Sequence, residues 1–275
     1  MSTVDLAAWI GRSETLVDTL DPARSNALRA ALGETGPLGK GDALPLLHHW
    51  LYFWNVAPPA GLGVDGHPAK GGFLPPVPLP RRMWAGGALT FHGDLVLGET
   101  VTRVSTVRNV EAKSGKSGDL VFVTVEHALS GANGLAISER QDIVYKQASA
   151  TGPAMPDAAA PAPEAPWRRE VMPDAVLLFR YSALTMNGHR IHYDRPYAQQ
   201  EEAYPALVVH GPLQATLLAE AAAGTLGRPL RTFAFRGMVP AFDGLPLYVC
   251  GEPSAEGASV WTAQGGIRNM TASAT

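Results

Sequence analysis

The chain has 275 residues, 22 Lys and Arg against 25 Asp and Glu, a net charge of −3 and one cysteine. This length allows one large or two ordinary domains with a sizeable core. The sparse, balanced charge excludes nucleic acid as a general partner, because phosphate neutralisation needs clustered cations and Arg81-Arg82 is too short a run. Cys250, set in LPLYVCG, excludes an internal disulfide framework or a cysteine metal cluster and reads as a small core residue. No apolar run approaches the ~18 residues of a membrane span. The N-terminus, MSTVDLAAWIGRSETL, lacks a basic segment followed by an apolar one, so a soluble cytoplasmic protein is expected.

In chain order, residues 5–33 read as helical. Asp5 caps a short helix carrying Leu6, Trp9 and Ile10; Asp21 caps a second, with Pro22 at its first position and Gly33 as its stop. Residues 36–80 are rich in Gly and Pro, interrupted by LPLLHHWLYFWNVA. There His48 and His49 sit beside packing aromatics and read as core or pocket wall, with catalysis the weaker alternative. Residues 81–146 alternate apolar with polar positions and are rich in Val and Thr, as antiparallel strands are. The strongest turn signal is AKSGKSGD; GKSGDL is not a phosphate loop, because Walker spacing is absent and a strand pattern follows. Residues 147–166, nearly all Ala, Pro, Ser and Gly, cannot bury a core and read as an interdomain linker. Beyond it, 175–185 reads as a strand, 195–203 as a short polar helix and 212–223 as a long apolar helix. Runs 230–240, 246–250 and 258–270 each read as one strand. Each half thus carries a helical element and an antiparallel sheet, a duplicated α+β module.

Titratable groups concentrate in 181–224, YSALTMNGHRIHYDRPYAQQEEAYPALVVHGPLQATLLAEAAAG. Leu213, Leu217 and Ala221 form one stripe of a helix apolar enough to be buried, with Glu220 its one charge. Its start at Gly211-Pro212 offers free N–H groups that can hold an oxyanion or enolate, and glycine lets a carbonyl approach closely. His192 lies in a loop after Asn187-Gly188 and suits proton transfer near neutral pH. Asp194, before Arg-Pro, reads as a helix N-cap, and His189 as either structural or catalytic. His189, His192 and Asp194 are ligand types, but H-x-x-H-x-D is not a helical zinc motif, so no metal and no other cofactor is expected. A Ser-His-Asp hydrolase is excluded by the absence of a GxSxG elbow.

YSALTMNGHRIHYD followed by YPALVVHGPLQATLL resembles the MaoC-like hydratases and dehydratases of the hot-dog superfamily. It is most similar to the branch with a fused N-terminal dehydratase domain of the fatty-acid-synthase type, whose N-terminal half RRMWAGG at 81–87 also resembles. The resemblance implies an α+β double hot-dog, two antiparallel sheets each wrapped on a central helix. Residues 1–146 would form a non-catalytic acyl pocket, 147–166 the linker and 167–275 the catalytic domain. The family motif Asp-x-Asn-Pro-(Ile/Leu)-His then places His192 on the catalytic histidine and Gly211 on the glycine whose N–H polarises the thioester carbonyl. Asn187 stands where the family has Asp, and His189 where it has Asn. A neutral Asn cannot be a base, so Asn187 would orient water, with His189 in support. Arg82 and Trp84 would face the acyl pocket, Val209 and His210 would flank the substrate beside Gly211, and Arg82 or Arg190 would hold a second carboxylate. The implied activity is hydration of a short branched dicarboxylic enoyl-CoA, itaconyl-CoA or mesaconyl-C4-CoA, to citramalyl-CoA. The partner is an acyl-CoA thioester, and the implied assembly a homodimer. The alternatives are a 3-hydroxyacyl-thioester dehydratase of fatty-acid synthesis, a hot-dog thioesterase, for which Glu220 lies too deep in its helix, and a non-catalytic acyl-binding module.

Overall fold

The computed structural model describes residues 5–115, 118–148 and 151–275, so parts of the AKSGKSGD turn and of the linker, residues 116–117 and 149–150, lie outside the described residues. Strands β1 (Ser13–Thr19), β2 (Arg81–Phe91), β3 (Thr100–Gly115), β4 (Gly118–Gly131) and β5 (Gly134–Lys146) come from the first half of the chain. The second half supplies β6 (Trp167–Val171), β7 (Thr232–Gly237), β8 (Leu247–Ser254), β9 (Gly257–Gln264) and β10 (Ile267–Ala274). All ten join in one antiparallel sheet of order β1-β3-β4-β5-β2-β7-β10-β9-β8-β6. The seam is β2 against β7, where Gly86 and Gly87 pair with Arg236 and Phe235. Glycine is required there: a Cβ on Gly86 would lie 2.6 Å from the Phe235 carbonyl oxygen.

Among the described residues four α-helices accompany the sheet: α1 (Pro22–Ala31), α2 (Ala175–Thr185), α3 (Arg195–Gln200) and α4 (Gly211–Leu226). Helix α4 is buried from Leu213 to Ala219 and lies against β8, β9 and β10, so the second half wraps its sheet around the apolar helix expected from the sequence. In the first half the corresponding filling is the short 3-10 turn His48–Leu51. His49 and Trp50 of that turn each bond Glu139 of β5 at 2.9 Å. Cys250 is fully buried. Among the described residues no helix is long and apolar enough to cross a membrane.

Several elements differ from the sequence reading. Residues 13–19 form strand β1, paired with β3, rather than continuing a helical region. The caps at its two sides are as read: Asp5 accepts from Ala7 N–H at 3.0 Å and Asp21 from Ala23 N–H at 2.9 Å. Between them SETLVDT alternates exposure residue by residue, the period-2 pattern of a strand. Residues 175–185 form helix α2, not a strand. Asp174 caps it by accepting from Leu177 N–H at 2.7 Å, and Leu177, Leu178, Tyr181 and Ser182 are buried at helical spacing. The run 258–270 is two strands, β9 and β10, because Gly265 and Gly266 take φ of +59° and +76° and turn the chain into a hairpin. Edge strand β6, just past the linker, has no counterpart in the reading. Residues 151–166 carry no helix or strand and lie on the second half, where Gly152 presses against the Ala203 backbone and Pro156 against Gly265.

Candidate active site

The His-rich loop starts where α2 stops. Met186 takes the left-handed conformation, φ 51°, and Asn187 N–H closes the helix on Ser182 O at 2.9 Å. Asn187 Oδ1 then accepts from His189 N–H at 3.0 Å, a local turn that leads into the 3-10 turn Arg190–His192. Within that turn His192 Nδ1 lies 2.7 Å from Val208 O. A carbonyl only accepts, so Nδ1 carries the proton and Nε2 is left with its lone pair. Behind it the His210 ring stacks on His192 at 3.7 Å and is itself held through Nε2 by Ser182 Oγ at 2.8 Å. Burial, reinforced by His210 and His189, keeps the His192 pKa well below the usual histidine value; burial likewise brings His210 down to about 3. Both rings are neutral at neutral pH, so His192 rests as a base.

Gly211 opens α4. Among the described residues no group accepts its N–H, and Pro212 next to it has none to offer. A Cβ on Gly211 would meet only Met270 Cε at 3.8 Å and Trp84 O at 3.9 Å, so the space over this N–H is open. His192, Asn187, His189 and Gly211 line one cavity of about 780 Å³, which both halves of the chain wall and which the first half lines with His67, Arg82 and Trp84. Val209 also lines it. The Trp84 indole is fixed by its bond to Gly86 O at 2.8 Å and meets Trp50 edge-on at 4.9 Å.

Two residues expected at the substrate lie elsewhere. Arg190 does not line the cavity: its guanidinium holds Asp194 Oδ2 at 2.9 and 2.7 Å, bonds Val64 O at 3.0 Å and covers the Tyr197 ring. Asp194 also caps α3, accepting from Tyr197 N–H at 3.1 Å, so this pair shapes the loop. His210 is a fully buried backing for His192 and not a wall of the cavity. Arg82, of the two candidate arginines, is the one at the cavity. Glu220 lies outside it, 3.6 Å from Arg169, with burial raising its pKa to about 7.

The sequence reading missed Asp65, His67, Glu202 and Arg81. Asp65 Oδ2 holds His67 Nδ1 at 2.9 Å, and the His67 ring meets that of His189 at 4.3 Å. His189 Nε2 in turn faces Glu202 Oε1 at 3.4 Å, with Tyr197 OH on the same oxygen at 3.3 Å and Arg81 on the Glu202 carbonyl at 2.7 Å. Donor atoms of Asp65, His67 and His189 all lie within 4.8 Å of one another. The Asp-Gly-His signal was present at 65–67, but a loop without periodicity gives no clue to what it faces. His48 and His49, by contrast, are buried in the first half and do not reach the cavity.

A helix start whose first N–H is not accepted and a neutral histidine thus share one cavity, on an antiparallel sheet wrapped around a helix, and the comparisons give the class, a hydro-lyase. A solved structure described as a MaoC-like dehydratase superposes with a TM-score of 0.71 at 15% identity, covering 98% of both chains. A Mycobacterium tuberculosis protein described as having a double hotdog fold superposes with a TM-score of 0.54 at 15% identity over 96% of each chain. In sequence, the chain is 47% identical to the mesaconyl-C(4)-CoA hydratase of Chloroflexus aurantiacus, over 93% of this chain and 92% of the relative. The family model for hydroxyacyl-thioester dehydratase type 2 matches residues 47–243, and the chain belongs to that family.

Proposed function

We propose that this enzyme adds water to the double bond of mesaconyl-C4-CoA, giving citramalyl-CoA. The observation that carries the reading is the pairing of the His192 Nε2 lone pair with the unaccepted N–H of Gly211 on one cavity. The thioester oxygen accepts from Gly211 N–H at the positive end of α4, which draws charge from the β-carbon. His192 Nε2 takes a proton from water as its oxygen bonds the β-carbon, and the double-bond electrons move to the thioester oxygen as an enolate. A proton at the α-carbon completes the addition, and dehydration is the reverse. Asn187 orients the water, and His189 supports it. The substrate's free carboxylate meets Arg82, a cation of the cavity wall. Residues 1–146 mainly shape the acyl pocket, residues 147–166 link, and 167–275 carry His192 and Gly211. Itaconyl-CoA is the alternative substrate of the same reading and would put the enzyme in itaconate breakdown; a cytoplasmic homodimer is expected, which fractionation and light scattering check.

The test is hydration of mesaconyl-C4-CoA followed by loss of the conjugated thioester absorbance, with crotonyl-CoA as the uncharged comparison. His192→Ala is expected to lose the activity, and turnover by that variant at the wild-type rate overturns the mechanism. The second reading, a 3-hydroxyacyl-thioester dehydratase, is favoured by the name of the matching family. It requires straight-chain 3-hydroxyacyl thioesters to be turned over faster than citramalyl-CoA.

A further inference from the structure

The loop 63–68 of the first half is built into the site rather than resting beside it. Gly66, at φ +87°, lies so close to the His-rich loop that a Cβ would fall 2.0 Å from Gly188 O; a Cβ on Gly188 would fall 2.6 Å from Gly66 O. Two glycines therefore let the two backbones touch. Arg190 N–H donates to Asp65 O at 2.9 Å, and Arg190 also holds Val64 O at 3.0 Å, so the loop is tied to the turn that carries His192. What this docking presents is His67, on the cavity wall, with Nδ1 bonded to the Asp65 carboxylate at 2.9 Å. With its proton on Nδ1, His67 turns Nε2 outward, and among the described residues that nitrogen has no hydrogen-bond partner and is not sealed from solvent.

We propose that His67, held by Asp65, is a second acid–base residue of the site, which delivers the proton to the α-carbon. This inference rests on the hydratase reading above. Hydration moves two protons' worth of bonds: water loses one to His192 as the C–O bond forms, and the α-carbon gains one as the enolate collapses. His192 is poorly placed to keep what it takes, since its Nδ1 faces a neutral carbonyl and its face is covered by His210. The His189 ring lies 5.5 Å from that of His192, centroid to centroid, and the His67 ring 4.3 Å from that of His189, and each has a carboxylate, Glu202 and Asp65 respectively. The proton taken at His192 exchanges with solvent in the cavity, from which His67 Nε2 takes one, and Asp65 stabilises the imidazolium. His67 then gives it to the α-carbon and returns to neutral, so water is consumed and the enzyme is unchanged. The carboxylate that Asn187 cannot supply is thus contributed by the other half of the chain. A metal at Asp65, His67 and His189 is the competing use of the same atoms, but the Asp65–His67 contact is already a hydrogen bond at 2.9 Å.

The test uses the full-length enzyme with mesaconyl-C4-CoA and three variants, His67→Gln, Asp65→Asn and His192→Ala. Asp65→Asn keeps the size and the acceptor oxygen for His67, so it guards against a folding failure of His67→Gln. Expected is a fall in kcat of about 100-fold for His67→Gln and about 10-fold for Asp65→Asn, within the range for a positioned acid or base. KM should stay within about threefold, and exchange of the α-hydrogen of citramalyl-CoA with deuterated water should slow in parallel. Wild-type kcat and exchange in both variants, with His192→Ala inactive, overturns this inference and leaves the hydratase reading standing. A wild-type enzyme inert to every enoyl-CoA overturns that reading first and this one with it. Loss of activity on chelation, restored by zinc, makes the cluster a metal site and also overturns the proposal.

Discussion

Gly211→Ala separates catalysis from stability. The backbone at 211 is not in the left-handed region, and a Cβ there meets only Met270 Cε at 3.8 Å and Trp84 O at 3.9 Å, both ordinary contacts. An alanine therefore fits the protein. At a helix start it costs nothing in backbone terms and can add a few tenths of a kcal/mol, up to about 1 kcal/mol, by restricting the unfolded chain. For a domain of this size that is a Tm unchanged or raised by about 2–4 °C. The methyl instead occupies the space through which a thioester oxygen reaches the N–H. Losing one such donor costs about 2.7–4 kcal/mol of transition-state stabilisation, or roughly 100- to 1,000-fold. The low end applies here, because the N–H remains and is only obstructed, so kcat/KM should fall about 100-fold. The assay is initial-rate hydration beside a calorimetric scan of both proteins. A variant within threefold of wild type shows that the thioester carbonyl does not sit at Gly211, and a Tm fall of more than about 10 °C shows that the open space above it was misread.

Arg82→Leu should raise KM for mesaconyl-C4-CoA at least tenfold while leaving crotonyl-CoA turnover within threefold; equal losses on both substrates refute the carboxylate contact. Glu139→Gln removes a buried carboxylate that receives His49 at 2.9 Å, Trp50 at 2.9 Å and Gln141 at 2.7 Å. Breaking such a buried set costs about 3–5 kcal/mol, so a Tm drop of about 10 °C is expected in calorimetry, and one below 2 °C refutes it. Acid should destabilise the fold in two stages. Burial holds the pKa of His48, His67, His127, His192 and His210 below the usual 6.5, so the unfolded chain binds more protons and stability falls as pH drops below 6.5. Burial alone would raise the Glu139 pKa, but its hydrogen bond to His49 and that ring's charge hold it below the ordinary 4.5, so a further loss begins as pH falls below 4.5. A Tm constant from pH 7 to pH 5 contradicts the first stage. Gly66→Ala, whose Cβ would overlap Gly188 O, should lower both Tm and kcat by shifting the two loops apart; unchanged kinetics would show that their contact is dispensable.

Local chemistry in the sequence determined much of this protein. The caps Asp5, Asp21 and Asp194, the Pro212 start of α4 and the stripe Leu213, Leu217, Ala221 act within one or two turns, so their signals are complete in the chain itself. That His192, Asn187 and Gly211 share one cavity was legible through the family resemblance of two stretches, YSALTMNGHRIHYD and YPALVVHGPLQATLL. Short apolar runs were not decided locally: 175–185 suits a strand or a buried helix equally by composition, and packing of Leu178 and Tyr181 made it α2. The tertiary structure alone decided which arginine lines the cavity. Arg82 and Arg190 are the same residue type beside plausible sites, but a carboxylate four residues on claims Arg190, while Arg82, on β2, lies on the cavity. It also decided that His67 lies on the cavity wall. Asp65 and His67 lie more than a hundred residues before His189, in a loop with no periodicity, and the contact of Gly66 with Gly188 and the bonds of Arg190 to Val64 O and Asp65 O bring them to the cavity.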